Sequence, residues 1–311
     1  MLVTLREVLE DADKHGYAVP AFNVNNLEIM KAVVEAAVAA RSPVIVQTSE
    51  GAIAYAGMDY LVAMAQVSGK SAVPMVLHLD HGKNMSVIHD AIMSGYTSVM
   101  FDGSLLPLAD NIEKTVSVVE LARTRGVSVE AELGAIKGME DLVRVEDRQA
   151  FMTDPEQAAE FVESTGCDAL AVSIGTAHGA HKFHGDAVLD LERLRAIDAM
   201  VSVPLVLHGA SGVNESLIRR TIHLCESFGD CGRLAGAVGV PDEAVVSAVQ
   251  RGIRKVNIDT DLRIAFTAGM RESLVTMPEE IDPRKLMDLS KKLMMEVVAH
   301  KMDLLRSAGK A

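Results

Sequence analysis

VPMVLHLDHG, at residues 73–82, is an apolar run that ends in a histidine followed directly by a glycine. The same arrangement recurs in ALAVSIGTAHG at 169–179 and in VPLVLHG at 203–209. Short runs rich in Val, Ile and Leu are typical of strands buried on both faces of a parallel sheet, and the glycine indicates the turn that follows. The pattern therefore predicts parallel strands whose carboxyl ends carry His81, His178 and His208.

Strand-like and helix-like stretches alternate along the whole chain. The candidate strands are residues 18–23, 43–48, 74–79, 97–101, 127–132, 168–174, 204–208 and 253–258. Helix-like stretches separate them, and two more, at 260–274 and 283–307, follow the last strand. Eight strands alternating with helices predict an α/β fold, a closed (β/α)8 TIM barrel with an additional C-terminal helix. The alternative is an open doubly wound sheet, but no G-x-G-x-x-G motif follows the first strand.

No composition break or low-complexity linker divides the chain. Its 311 residues fall within the roughly 200 to over 400 that one barrel occupies. We therefore expect a single barrel domain over residues 1–311, with an N-terminal helix and a C-terminal helical extension at about 275–311.

Composition and charge exclude several classes of protein. The chain is 49% hydrophobic and 23% charged, which is typical of a folded protein with a sizeable core. A net charge of −13 argues against nucleic acid or an anionic membrane as the main partner. An anionic substrate would therefore need a local cluster of Lys, Arg and backbone N–H groups. The three cysteines form no CxxC motif, and their odd number predicts reduced thiols.

The amino-terminal stretch MLVTLREVLEDADKHG has the pattern of an amphipathic, acidic helix. It lacks the basic and apolar regions of a signal peptide. No apolar run reaches the ~18 residues that a membrane span requires. We therefore expect a cytoplasmic protein.

The three repeated histidines predict a metal site. Parallel α/β proteins build their chemistry at the carboxyl ends of their strands. Three imidazoles that converge there would give zinc three protein ligands and leave one position open. A single histidine of this kind more often caps a strand, but three repeats of one arrangement favour the metal.

Further polar residues lie at the predicted strand ends. They are Asn23, Asn25, Ser49, Asp80, Asp102, Glu130, Glu132, Ser211, Asn257 and Asp259. For Asn25 or Asp102 alone, a capping or turn-forming role is equally consistent with the sequence. The adjacent pair Asp80 and His81 is more specific, because neighbouring strand residues point to different sides. One could bind the metal while the other, a carboxylate, exchanges protons with the substrate.

Two turns are suited to binding anions. HGASG at 208–212 leads from the seventh predicted strand towards a helix, and NIDTD at 257–261 leads from the eighth directly into one. TIM barrels often bind phosphate in these two loops, through glycine N–H groups and a helix N-terminus. Ser211 and Thr260 add hydroxyl donors, and Lys182 and Arg263 add cations. Together with the metal site, the turns predict a small phosphorylated substrate.

Six blocks of sequence together resemble one known family. LHLDHG, SVMFDGS, VSVEAELG, LAVSIGTAHG, PLVLHGASG and KVNIDTDLR resemble, in this order, the class II, metal-dependent fructose-bisphosphate aldolases. The resemblance begins near AFNVNN at 21–26 and covers almost the whole chain. The C-terminal sequence from DPRKLMDL onward and the segment at roughly 226–242 resemble the longer branch of this family. That branch is associated with fructose 1,6-bisphosphate in glycolysis, gluconeogenesis and the Calvin cycle.

The resemblance implies reversible cleavage of fructose 1,6-bisphosphate to dihydroxyacetone phosphate and glyceraldehyde 3-phosphate through an enediolate. It implies that His81, His178 and His208 bind zinc, Co²⁺ or another divalent ion, with Asp102 and Glu132 at an alternative metal position. Asp80 would exchange the proton of the C4 oxygen, and Glu140 the proton at C3. The implied substrate and phosphate contacts are Asn23, Ser49, Gly179, Lys182, Gly209, Ser211, Asn257, Asp259, Thr260 and Arg263. A monovalent cation, Na⁺ or K⁺, often lies near the first phosphate in this family, and we expect a homodimer or homotetramer.

The chain departs from the family pattern at three places. Ala210 replaces a glycine in the HGASG turn, and it would be strained if that position required a positive φ. Lys137 stands where two adjacent glycines are common, and His181 replaces an aromatic residue. These departures leave the predicted metal site intact and bear on the choice of substrate.

Several other functions remain open on the sequence alone. The substrate could be tagatose or sedoheptulose bisphosphate. A zinc hydrolase on the same barrel would release phosphate or acyl groups without breaking a carbon–carbon bond. A non-catalytic partner subunit would lack a histidine or Asp80, whereas all four residues are present. A Schiff-base aldolase would need a lysine near the middle or end of a strand, facing the barrel interior, and Lys255 lies early in the eighth predicted strand.

Overall fold

A computed structural model of the chain describes residues 1–140, 143–145, 151–178, 189–212, 215–225 and 239–311. Its strands are β1 (Val19–Asn23), β2 (Val44–Ser49), β3 (Met75–Gly82), β4 (Ser98–Phe101), β5 (Ser128–Leu133), β6 (Lys137–Glu140), β7 (Val143–Val145), β8 (Ala169–Val172), β9 (Ala177–His178), β10 (Leu205–Leu207) and β11 (Ile253–Ile258). Eight of them close into a parallel barrel in the order β1, β11, β10, β8, β5, β4, β3 and β2. The predicted TIM barrel is confirmed.

Helices alternate with these strands. They are α1 (Leu5–His15), α2 (Leu27–Ala40), α3 (Glu50–Ala56), α4 (Met58–Ser68), α5 (Met85–Ser94), α6 (Leu108–Arg123), α7 (Pro155–Thr165), α8 (Leu191–Asp198), α9 (Glu215–Cys225), α10 (Asp242–Val249), α11 (Thr260–Thr276), α12 (Pro283–Leu286) and α13 (Asp288–Leu304). The C-terminal α13 packs against α2 and α11. Among the described residues, no helix is both long enough and apolar enough to cross a membrane.

The first helix closes the amino-terminal end of the barrel. It begins with a capping box, in which Thr4 and Glu7 each satisfy a backbone N–H of the other. Its apolar residues join inward-facing residues of the barrel strands in one buried cluster, and Leu5 and Leu9 are fully buried there. A second, larger cluster lies between the strands and the outer helices. The carboxyl-terminal end of the barrel is therefore left for polar residues.

The position of His178 differs from the prediction. The apolar run at 168–174 was expected to lead directly to this histidine, but β8 ends at Val172 and the chain turns at Gly175, whose φ is 108°. His178 lies instead in β9, which pairs with β6 in a separate three-stranded sheet. The glycine interrupts the barrel strand because it adopts a backbone conformation that other residues rarely adopt.

Three smaller differences concern helices and cysteines. The helix α3 was not predicted, and the predicted helix at 283–307 consists of α12 and α13, separated at Met287. Cys225 is disulfide-bonded, so the expectation of reduced thiols is wrong for this residue. Cys167 is a buried free thiol.

Candidate metal and substrate site

Three amide side chains hold the carboxylate of Asp80 at the carboxyl-terminal end of the barrel. Its Oδ2 accepts hydrogen bonds from Asn23 Nδ2 at 2.9 Å and from Gln47 Nε2 at 3.1 Å. Its Oδ1 accepts one from Asn257 Nδ2 at 3.1 Å. The three donors come from β1, β2 and β11, which are neighbours in the barrel, and Asp80 comes from the adjacent β3. Asp80 is fully buried, and these bonds fix the orientation of its carboxylate.

The backbone at His81 has a left-handed conformation with φ of 48°. The pairing of β3 with β4 also shifts register between Leu79 and Gly82. A non-glycine residue with positive φ costs roughly 1–2 kcal/mol, and such strain concentrates at functional sites. The kink breaks the alternation of side chains along the strand. Ligand atoms of Asp80, His81 and His208 consequently lie within 4.8 Å of one another, and not on opposite sides as predicted.

The imidazoles of His81 and His208 face each other through one nitrogen each. His81 Nε2 lies 2.9 Å from His208 Nδ1. The other nitrogens donate to carboxylates, His81 Nδ1 to Asp102 at 3.1 Å and His208 Nε2 to Glu130 at 2.8 Å. A carboxylate behind each imidazole is the usual arrangement around metal-binding histidines. Two nitrogens on one tetrahedral zinc lie about 3.4 Å apart, so this pair needs to open only slightly to hold the ion.

A second group of potential ligands lies beside His81. It consists of His81, Asp102 and Glu132, whose ligand atoms also lie within 4.8 Å of one another. Glu132 Oε2 is buried, has no hydrogen-bond partner and lies 3.7 Å from His81 Nδ1. Burial and the nearby Asp102 carboxylate raise the pKa of Glu132 well above its usual value. An unpaired carboxylate oxygen facing an acidic neighbour fits a cation, so the residues present suit a metal.

The pKa values of His81 and Asp102 are shifted in opposite directions. Burial lowers the pKa of His81, but the carboxylates of Asp80, Asp102 and Glu132 outweigh it and raise that pKa well above its usual value. Burial raises the pKa of Asp102, but its hydrogen bond with His81 and the Lys83 ammonium hold it well below its usual range. The site thus concentrates negative charge around an imidazole, an environment that attracts cations.

Beneath this site, Glu130 and Lys255 form an ion pair inside the barrel. Lys255 Nζ lies 2.8 Å from Glu130 Oε2, and both side chains are fully buried. Burial raises the pKa of Glu130, but Lys255 and His208 outweigh it and hold that pKa well below its usual range. His78 Nε2 lies 3.5 Å from the same oxygen, and burial lowers the pKa of His78 well below its usual value.

Lys255 lies early in β11, as predicted, but its side chain nevertheless reaches the barrel interior. There it forms the ion pair with Glu130. Sequence reasoning also missed Gln47 and His78 as parts of the site. A polar residue inside an otherwise apolar strand, as in VIVQTS and MVLHLD, was the signal that could have found them.

The HGASG turn follows β10 and lies against the start of α11. Gly209 has φ of 62°, whereas Ala210 has no positive φ, so the extra methyl group causes no backbone strain. Ser211 Oγ accepts a hydrogen bond from the Asp259 N–H at 3.3 Å. Thr260 is the first residue of α11, whose N-terminus therefore lies beside the turn. Backbone N–H groups at such a junction favour an anion.

The remaining predicted residues have different placements. Arg263 is half exposed, donates to Asp259 at 2.8 Å, and lines a cavity of about 430 Å³ together with Asn25 and Tyr55. Ser49 caps α3 by accepting the Ala52 N–H at 3.1 Å. For six further residues singled out in the sequence, the structure describes no side chain. Gly179, Lys182 and the departure at His181 lie outside the described residues, as do the side chains of His178, Glu140 and Lys137.

A family model, related sequences and a solved structure all match this chain over nearly its full length. The model of the family described as class-II fructose-bisphosphate aldolase matches residues 3–226 and 233–310. Fructose-bisphosphate aldolase of Thermus caldophilus is 44% identical over 311 residues, covering 100% of both chains. That of Helicobacter pylori is 42% identical over 312 residues, again covering 100% of both. The crystal structure of the YdjI aldolase from Escherichia coli superposes with a TM-score of 0.78 at 33% identity, covering 100% of both chains.

Proposed function

This chain belongs to the family of class II fructose-bisphosphate aldolases, and we propose that it reversibly cleaves fructose 1,6-bisphosphate with zinc as its metal. Its products would be dihydroxyacetone phosphate and glyceraldehyde 3-phosphate. The observation that carries the proposal is the convergence of the Asp80 carboxylate with the facing nitrogens of His81 and His208, next to the HGASG turn. In this proposal, a proton-exchanging group, a metal site and an anion site lie side by side.

His81 and His208 would hold the metal together with His178, whose backbone lies in β9. Asp102 and Glu132 would offer an alternative position. When bound, the ion supplies Lewis acidity towards the negative charge that develops on substrate oxygens. Glu130 and Asp102 would keep the two histidines oriented, because each accepts a hydrogen bond from the imidazole nitrogen that faces away from the pair.

Asp80 would take the proton of the C4 hydroxyl in the cleavage direction. As the proton leaves, the C4 oxygen becomes a carbonyl, the C3–C4 bond breaks and its electron pair remains on the other fragment as an enediolate. A proton delivered to C3, by Glu140 in our proposal, completes dihydroxyacetone phosphate. The amides of Asn23, Gln47 and Asn257 support this assignment, because they hold Asp80 in one orientation without neutralising it.

The phosphates would bind at the two ends of the sugar. We assign the first to the HGASG turn and the α11 N-terminus, through Gly209, Ser211, Asp259 and Thr260, with Gly179, Lys182 and Na⁺ or K⁺ close by. Arg263 would bind the second, because its half-exposed guanidinium lines the cavity of about 430 Å³ at the barrel mouth. Asn23, Ser49 and Asn257 would contact the sugar chain between them.

A coupled aldolase assay on fructose, tagatose and sedoheptulose bisphosphates tests the proposal. We expect the protein to cleave each of these bisphosphates that it binds, with the highest kcat/KM for fructose 1,6-bisphosphate. Release of inorganic phosphate without triose phosphate formation would instead establish a hydrolase. A higher kcat/KM for tagatose or sedoheptulose bisphosphate would retain the aldolase reaction but overturn the substrate assignment.

We also propose that the protein acts as a homodimer or homotetramer in the cytoplasm, within glycolysis, gluconeogenesis or the Calvin cycle. Residues 1–311 would form one domain in each subunit. Light scattering on the purified protein measures the mass of the assembly directly, and a mass of one chain would contradict the proposed oligomer.

A further inference from the structure

A buried ammonium group lies behind the HGASG turn. It belongs to Lys301 on α13, whose side chain is only 7% exposed. Its Nζ lies 3.0 Å from Asp242 Oδ1, at the start of α10, and 3.7 Å from Asp261 Oδ2, in the first turn of α11. The ammonium is thus the shared counter-ion of two carboxylates that come from different helices.

One of these carboxylates holds the backbone of the turn. Asp261 Oδ2 accepts a hydrogen bond from the Gly212 N–H at 2.9 Å. The preceding residue is held as well, because the Ser211 carbonyl accepts the Val240 N–H at 3.1 Å. The end of the turn lies directly against the ammonium: a Cβ added at Gly212 would be 2.9 Å from Lys301 Nζ.

Burial makes the charge of Lys301 important for this arrangement. Asp261 is only 2% exposed, and Asp242 is its acidic neighbour across the ammonium. Without the ammonium, the like charges of Asp242 and the buried Asp261 would face each other, and repulsion would move Asp261 away from its present position. The hydrogen bond to Gly212 would move with it.

We propose that Lys301 is a positioning residue for substrate phosphate, acting through Asp261 on the backbone of the HGASG turn. This inference rests on the proposed function, which assigns the first phosphate to that turn. It gives the C-terminal helix α13 a role in substrate binding, although α13 contributes no residue to the metal site.

The experiment compares Lys301→Met, Lys301→Arg and a matched control, Lys292→Met, in the metal-loaded enzyme. Lys292 lies on the same helix, but its side chain is 65% exposed in an ion pair with Asp288. We expect Lys301→Met to raise KM for fructose 1,6-bisphosphate about tenfold, equivalent to about 1.4 kcal/mol. We expect kcat and zinc content to change less than about twofold. Inhibition by inorganic phosphate should weaken by the same factor as KM.

Lys301→Arg should restore most of the affinity, because Lys301 borders a cavity of about 680 Å³ that can accept the larger guanidinium. Lys292→Met should behave like the wild type. An unchanged KM in Lys301→Met would overturn the inference. So would a raised KM with unchanged inhibition by phosphate, because the effect would then lie elsewhere in the substrate site.

A double variant separates the charge effect from a general loss of stability. Asp261→Asn removes the buried negative charge but keeps an oxygen that can accept the Gly212 N–H. The double variant should therefore have a lower KM than Lys301→Met alone. If the two substitutions acted independently, their separate effects on KM would multiply. A double variant whose KM equals the product of the two single effects contradicts the inference. Cleavage by the wild type tests the proposed function separately, so failure confined to these variants counts against the inference alone.

Discussion

Replacing Gln47 with methionine should slow cleavage while leaving the metal in place. Gln47 is fully buried, and its Nε2 donates to Asp80 Oδ2 at 3.1 Å and to Asn23 Oδ1 at 2.7 Å. Methionine has a similar size but cannot donate, so Asp80 would lose one of its three amide donors and Asn23 would lose its anchor. A hydrogen bond to a charged group contributes about 1.5–3 kcal/mol, and the 3.1 Å length favours the lower end of that range. About 1.5 kcal/mol corresponds to roughly a tenfold fall in kcat.

The matched control is Thr48→Val, at the next position of the same strand. Alternation along β2 places Thr48 on the outer face, where its hydroxyl hydrogen-bonds the Tyr96 hydroxyl at 2.7 Å. This variant also removes a buried hydrogen bond and should lower Tm, but it should keep the wild-type kcat. Steady-state cleavage, zinc content and thermal unfolding would be measured on both variants. Wild-type kcat in Gln47→Met, or an equal loss of kcat in Thr48→Val, would refute the role assigned to Gln47.

Four further outcomes are expected. Exhaustive dialysis against EDTA should abolish cleavage and added Zn²⁺ or Co²⁺ should restore it, whereas activity that survives, or trapping by borohydride, would exclude the metal-dependent reaction. Asp80→Asn should keep zinc but lose cleavage. Glu140→Gln should chiefly slow the exchange of the dihydroxyacetone phosphate proton with solvent. Equal losses of both reactions in both variants would contradict these roles. Arg263→Ala should remove about 1.5–3 kcal/mol of the preference for fructose 1,6-bisphosphate over fructose 1-phosphate, measured as a ratio of kcat/KM values. Burial raises the pKa of the Cys167 thiol to about 11, so at pH 8 about one thiol in a thousand is ionised and thiol reagents should label it only on unfolding; rapid labelling of the native enzyme would disprove this.

The barrel, and the grouping of Asp80, His81 and His208 at its carboxyl-terminal end, could be predicted from the sequence, because chemistry at the ends of parallel strands has a recognisable pattern. Gln47, His78 and Lys255 could not be assigned in the same way. Strands buried on both faces are apolar throughout, so alternation does not reveal which residues face the barrel interior. A polar residue in such a strand is visible, but its partner on a neighbouring strand is not.

Two local backbone features could not be predicted from the sequence either. The positive φ of His81 arises where β3 and β4 shift register, and that pairing depends on residues distant in sequence. The displacement of His178 into β9 depends on pairing with β6, which lies far upstream in the chain. Gly209, after His208, has a φ of 62° and lies in a turn as predicted, whereas Gly82, after His81, still belongs to β3.

The strands from which the site residues come indicate which positions could be varied by directed evolution to change the substrate. The amides around Asp80 come from β1, β2 and β11 on one side of the barrel, whereas Asp102, Glu132 and His208 come from β4, β5 and the end of β10 on the other. Only β3 contributes to both groups, through Asp80 and His81. A library restricted to the ends of β1, β2 and β11 could therefore explore new sugar configurations while every variant retains the proposed metal ligands.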